Sequence, residues 1–123
     1  MNNYYTKETM ERFLDPKHFG EMKDADGVGS VGNPRCGDQM KVYIKVEKGK
    51  IKKASFQTLG CVAAIATSDA ICEMIIGKSI DEALKITEKE MIEILKKLPS
   101  VKIHCSSLAI EGLKKAIDDY KKR

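Results

Sequence analysis

Met40-Lys41-Val42-Tyr43-Ile44-Lys45-Val46-Glu47 alternates apolar and polar residues, and Ile51-Lys52-Lys53-Ala54-Ser55-Phe56-Gln57-Thr58-Leu59 follows it after Lys48-Gly49-Lys50. A period of two puts alternate side chains on opposite faces of a strand, so Met40, Val42, Ile44 and Val46 share one buried face. Lys48-Gly49-Lys50 turns the chain, and Ile51 to Leu59 reads as the return strand with Ala54, Phe56 and Thr58 on one face. The first secure unit is therefore an antiparallel hairpin.

Downstream the period changes. Gly60 breaks the return strand and Cys61 opens a helix. Val62 to Ile76 is apolar nearly all round, so this helix is mostly buried, with Gly77 as its C-cap. Ser79-Ile80-Asp81-Glu82 and Thr87-Glu88-Lys89-Glu90 both fit the capping box, in which a hydroxyl and a carboxylate three residues apart satisfy each other's free backbone N–H groups. They predict short helices over 80–86 and 88–97, the second stopped by Leu98-Pro99. Ala109, Leu113, Ala116, Ile117 and Tyr120 form the stripe of a last helix over 106–121. Upstream, Thr6 is an N-cap candidate for a helix over 3–14 with Met10, Phe13 and Leu14 as its apolar face, ended by Asp15-Pro16. The segment His18 to Gly32 holds Gly20, Gly27, Gly29 and Gly32 and reads as a loop, with a short edge strand near Gly29–Asn33.

The 123 residues fit one domain with one core, and 42% hydrophobic residues suffice to pack it. The formal net charge of +4 is mild and spread along the chain, so it gives no footprint for nucleic acid. Met1 to Glu11 lacks the apolar run of a signal peptide, and no stretch approaches the ~20 apolar residues of a membrane span. A cytoplasmic protein is expected. In that compartment disulfides are rare, so the four cysteines point to metal, sulfur or redox chemistry.

Three of those cysteines sit at element boundaries. Cys36 lies in Asn33-Pro34-Arg35-Cys36-Gly37-Asp38, a turn before the central strand. Cys61 and Cys105 stand at helix starts, where free N–H groups and the helix dipole favour the thiolate, the form that attacks and ligates. His104 adds an imidazole beside Cys105, and Asp38 stands two residues from Cys36 as an oxygen donor or a turn former. Together Cys36, Asp38, Cys61, His104 and Cys105 form one candidate site, and thiolate with imidazole suits zinc or an iron–sulfur centre. Cys72 is excluded: eleven residues along the same helix from Cys61 is ~16 Å of rise, which assigns it to the core. His18, with no cysteine nearby in sequence, reads as a surface residue.

Three blocks then carry a resemblance. Gly29-Ser30-Val31-Gly32-Asn33-Pro34-Arg35-Cys36-Gly37-Asp38, Thr58-Leu59-Gly60-Cys61-Val62-Ala63-Ala64-Ile65-Ala66-Thr67-Ser68 and Leu98-Pro99-Ser100-Val101-Lys102-Ile103-His104-Cys105-Ser106, in this order, resemble the iron–sulfur cluster assembly scaffolds of the IscU/NifU-N-terminal family. The resemblance covers nearly the whole chain. It implies an α+β fold: a three-stranded antiparallel sheet with helices packed against it, one compact domain over residues 1–123. It implies a scaffold or carrier rather than an enzyme. A [2Fe–2S] cluster, or zinc in its place, would sit at Cys36, Cys61, His104 and Cys105, with Asp38 as an exchangeable ligand and Cys105 as the persulfide acceptor. The implied partners are a cysteine desulfurase, apo iron–sulfur acceptor proteins and ferredoxin-like or frataxin-like proteins, and a homodimer is compatible with it. The SufU branch of these scaffolds carries an insertion before the last ligand and lacks the histidine; the 44-residue step from Cys61 to Cys105, with His104 present, fits the IscU branch. One departure stands out. The family's chaperone-binding motif has two prolines after its leucine, whereas this chain has Leu98-Pro99-Ser100-Val101-Lys102, which predicts weak binding to an Hsp70-type chaperone. Two competing readings remain: a structural or regulatory zinc-binding module, and a thiol enzyme using Cys105 with His104 as base.

Overall fold

The alternating residues pair as expected. In the computed structural model β2 (Asp38–Glu47) and β3 (Lys50–Thr58) form an antiparallel hairpin. Its tip is a two-residue loop in which Lys48 and Gly49 both have positive φ, 55° and 78°. That geometry matches the twist of the flanking strands, and a glycine at the second position removes half its steric cost. The model describes residues 6–33, 38–58, 62–96 and 104–123, with Asn33, Asp38, His104 and Cys105 described by their backbone alone.

The third strand is longer than the sequence suggests. β1 (Gly27–Asn33) pairs antiparallel with β2 from Gly27↔Ile44 to Asn33↔Asp38, giving the sheet order β1-β2-β3. The register shifts between Lys45 and Val46, where β3 carries one extra residue. This bulge explains how Ile51 and Ala54, three positions apart, are both buried.

Helices cover one face of the sheet. Val42, Ile44, Ile51 and Phe56 are wholly buried there against Ile71, Ile75, Leu113 and Ile117. The helices are α1 (Lys7–Leu14), α2 (Val62–Ile75), α3 (Ile80–Leu84), α4 (Glu88–Leu95) and α5 (His104–Lys122). Both predicted capping boxes are present, Ser79 with Glu82 and Thr87 with Glu90. Lys96, at φ 72°, closes α4 before Leu98-Pro99, which lies outside the described residues. α2 is buried on most of its circumference, and Gly77 follows it with φ 91°. Cys72 is fully buried, as expected for a core residue.

Three local expectations are corrected. Leu14 is 73% exposed, whereas α1 buries Thr9 and reaches α2 through Arg12. Tyr43, on the sheet's outward face, is buried, and its hydroxyl donates to Gln57 Oε1 at 2.6 Å, so β2 is covered on both faces at that point. The segment around His18 is bonded to the sheet: Phe56 N–H donates to the His18 carbonyl at 3.0 Å, and Gly20 N–H donates to the Phe56 carbonyl at 2.8 Å. His18 also donates its backbone N–H to Asp69 Oδ1 at 3.0 Å. Phe19 packs edge-on against Phe56 with ring centres 5.4 Å apart. These bonds cover part of the outer edge of β3, an edge that would otherwise offer free pairing groups.

Asp69 fastens α1 to this frame. It is 1% exposed within α2 and accepts from Arg12 Nη1 at 2.8 Å as well as from His18 N–H. Arg12 also reaches Glu73 Oε1 at 3.1 Å. A buried carboxylate is tolerated only with such partners, and here they are a guanidinium and a backbone amide.

Candidate metal and sulfur site

Antiparallel pairing decides where the candidate ligands meet. The connection from β1 to β2 and the exit of β3 lie at one end of the sheet, because Asn33 pairs with Asp38 and Met40 pairs with Thr58. The tight turn Lys48–Gly49 lies at the other end. α2 finishes near that far end: Gly77 N–H donates to the Ile51 carbonyl at 2.7 Å, and Ile51 N–H donates to the Lys78 carbonyl at 2.9 Å. Running back against β3, α2 therefore begins at the near end, beside the exit of β3.

α5 arrives there by a different route, which the sequence reading did not anticipate. Gly27 and Gly29 face α5 so closely that a Cβ on either would stand 2.2 Å from a helix carbonyl oxygen, that of Ala116 or of Gly112. Glycine at alternate positions of β1 leaves a flat track on which the helix backbone lies. Gly112 is the helix's own concession, since a Cβ there would meet Val42 Cγ2 at 3.0 Å. Tyr120 thus stands beside Gly27, Ala116 beside Gly29 and Gly112 beside Val31, so α5 runs antiparallel to β1 and starts where β1 ends. Asp119 fixes the helix along the track by accepting Val28 N–H at 2.9 Å, a bond that, with Arg123, holds its carboxyl below the usual carboxylate range. The signal for this packing was present in the G-x-G spacing of Gly27-Val28-Gly29, which read as loop.

Five element ends therefore share one end of the molecule: the close of β1, the opening of β2, the close of β3, and the N-termini of α2 and α5. Asp38 is the first residue of β2, and His104 and Cys105 are the first two residues of α5. Cys36, between β1 and β2, and Cys61, between β3 and α2, lie outside the described residues. The expected start of the last helix at 106 moves to His104, which places Cys105 in the first turn, where the helix dipole favours an anion. A groove of about 610 Å³ opens at this end between Gly32, Gln39, Met40, Thr58 and Lys115. Among the described residues no group of three or more His, Cys, Asp and Glu side chains is placed to hold a metal ion.

Two buried groups differ in meaning. The Cys72 thiol is pushed up by burial and by the Asp69 carboxylate, so it stays protonated and inert. Ser106, the third residue of α5, is wholly buried and its Oγ has no hydrogen-bond partner among the described residues. Sequence reasoning passed over Ser106, because a lone serine beside a cysteine carries no signal until its burial is known.

Known proteins share both the sequence and the fold. The family described as NifU-like N terminal domain matches residues 4–123. The iron–sulfur cluster assembly scaffold protein IscU 1 of Archaeoglobus fulgidus is 52% identical over 116 residues, covering 94% of this chain and 76% of that protein. The scaffold protein IscU of Buchnera aphidicola from Acyrthosiphon pisum is 47% identical over 123 residues, covering 97% and 96%. A crystal structure of a putative iron–sulfur cluster assembly scaffold protein for the SUF system of Fervidobacterium islandicum superposes with a TM-score of 0.76 at 24% identity, over 93% of this chain and 96% of that one; it attests the fold alone. No described helix is long and apolar enough to cross a membrane. With a match along nearly its whole length and relatives at about half identity, this chain belongs to the NifU-like N-terminal domain family.

Proposed function

We propose that the protein is a scaffold on which an iron–sulfur cluster is assembled and from which it is handed on. The observation that supports this reading is that the close of β1, the opening of β2, the close of β3 and the N-termini of α2 and α5 share one end; Asp38, His104 and Cys105 belong to these element ends, and Cys36 and Cys61 fall in the sequence intervals between them. The relatives are named scaffold proteins, which favours this reading over a zinc module or a thiol enzyme.

The finer steps follow from the residue types. Cys105 is the sulfur acceptor: its thiolate attacks the terminal sulfur of a persulfide on a cysteine desulfurase, a new S–S bond forms, and the donor cysteine leaves as thiolate. Two electrons from a ferredoxin-like donor then reduce the sulfane sulfur to sulfide. Cys36, Cys61, Cys105 and His104 hold a [2Fe–2S] cluster, and the same set accepts zinc as an alternative occupant. Ser100 stands in the sequence where a second proline would lower the entropy of the free segment, so an Hsp70-type chaperone binds it weakly.

The test is anaerobic incubation with a cysteine desulfurase, cysteine, a reductant and ferrous iron, followed by iron and sulfide analysis and visible absorption. The expected product holds iron and acid-labile sulfide in equal amounts and passes both to an apo-ferredoxin. Iron-free incubation should place the added sulfur on the peptide containing Cys105. Absence of a chromophore, with zinc retained throughout, would overturn the reading in favour of a zinc module.

A further inference from the structure

Ser106 lies on the inward face of α5, in line with Ala109, Leu113 and Ala116. Its neighbour Ser107 points outward and donates to Glu88 Oε1 at 2.5 Å. Buried hydroxyls elsewhere in the helices bond back one turn: Thr67 Oγ1 donates to the Ala63 carbonyl at 2.7 Å and Ser68 Oγ to the Ala64 carbonyl at 2.6 Å. The carbonyls one turn before Ser106 belong to residues 102 and 103, outside the described residues, and among the described residues its Oγ has no partner. Its hydroxyl is left buried and unpaired, a state that costs stability unless something absent from the free chain accepts its proton. Alanine would fill the same space without that cost.

Taking the scaffold reading as its basis, we propose that Ser106 donates a hydrogen bond to an anionic sulfur of the bound cluster, either a bridging sulfide or a ligating thiolate. Ser106 stands at the helix end where the thiol-bearing segments meet, on the side facing the interior, and thiolate and sulfide sulfurs accept hydrogen bonds. Such a bond stabilises the loaded form over the free one and raises the reduction potential of the cluster.

The experiment compares wild type with Ser106→Ala, each as the full chain, free and reconstituted. In the free form Ser106→Ala should unfold at the same or a higher temperature. In the loaded form its cluster should be lost about fivefold faster, the size of effect one hydrogen bond supplies, with a more negative reduction potential and shifted visible bands. Ser106→Thr, which keeps the hydroxyl, should restore the potential towards wild type. Reconstitution with selenide in place of sulfide separates the two acceptors: the gap between wild type and Ser106→Ala changes if the bond goes to the bridging atom and stays if it goes to a thiolate. Unchanged lifetime and potential in Ser106→Ala would overturn the proposal while leaving the scaffold reading intact. Equal destabilisation of free and loaded forms would overturn it too, by making the hydroxyl a structural group. A wild type that builds no cluster would remove the scaffold reading and this proposal with it.

Discussion

Gly29 lies against the backbone of Gly112: a Cβ at position 29 would stand 2.2 Å from the Gly112 carbonyl oxygen and 2.5 Å from the Ala116 nitrogen. Backbone cannot yield as a side chain can, so Gly29→Ala should lift α5 from the sheet and cost about 3 kcal/mol. Gly112→Ala meets only Val42 Cγ2 at 3.0 Å, and the gain of about 1 kcal/mol in helix propensity offsets the crowding. Urea unfolding of the two variants should therefore rank them clearly. Equal stability of Gly29→Ala and wild type would show that the close approach is not needed to seat α5.

The attachment of α1 should depend on pH. The hydrogen bond from Arg12 holds the Glu73 carboxyl below the ordinary glutamate value. A carboxylate with a depressed folded-state pKa adds stability above its unfolded pKa of about 4.3 and loses it as pH falls through the folded value. Glu73→Gln should thus be less stable than wild type at neutral pH, and the gap should close below about pH 4. Because Glu73 is half exposed, the gap should stay under about 1 kcal/mol. Arg12→Ala should cost more, about 3 kcal/mol, since it also strips the buried Asp69 of its cation. A Glu73→Gln gap that widens in acid would contradict this account.

The cysteines should divide three to one. Cys36→Ser, Cys61→Ser and Cys105→Ser should each lose most bound iron and sulfide after reconstitution. Cys72→Ala should keep both and lose about 1 kcal/mol of stability, since it empties a small volume of the core. Metal and sulfide analysis of the four variants decides the matter. Loss of iron in Cys72→Ala, with folding preserved, would mean the ligand set is misassigned.

Asp38 opens β2 beside the connection that carries Cys36. A carboxylate is a harder and more exchangeable ligand for iron than a thiolate. Asp38→Ala should therefore form a cluster that persists longer in air and moves more slowly to an apo-ferredoxin, by roughly the tenfold that second-sphere or ligand changes bring. Decay of the visible absorption, with and without acceptor, measures both. Faster loss without acceptor would make Asp38 a turn former instead.

The hairpin was legible because its signal is local: alternation from Met40 to Val46, then Lys48-Gly49 at the turn. The two capping boxes were legible for the same reason. Gly27-Val28-Gly29 was not, because those glycines answer to Gly112 and Ala116, 83 to 89 positions later along the chain. Nothing nearby in sequence announces a strand whose inward face is another element's backbone. Leu14 misled in the opposite way: helical spacing gave it an apolar face, but α1 is docked by Thr6, whose hydroxyl donates to the Leu95 carbonyl of α4, and by Arg12, which reaches Asp69 of α2. Near the proposed site the sequence put Asp38 beside the start of β2 and Cys105 beside the start of α5, within two residues of where those elements begin. The buried, unpaired state of Ser106 could not, since burial belongs to the whole fold.

The pairing of β1 with α5 also sets an order of events in folding. The hairpin closes through neighbours in sequence and can form early, whereas the glycine track stays bare until α5, from the far end of the chain, has been made and docks. A chain still emerging from the ribosome can fold β2 and β3 but has no α5 to bring His104 and Cys105 beside them. On the scaffold reading, the proposed site is therefore completed only once α5 has docked.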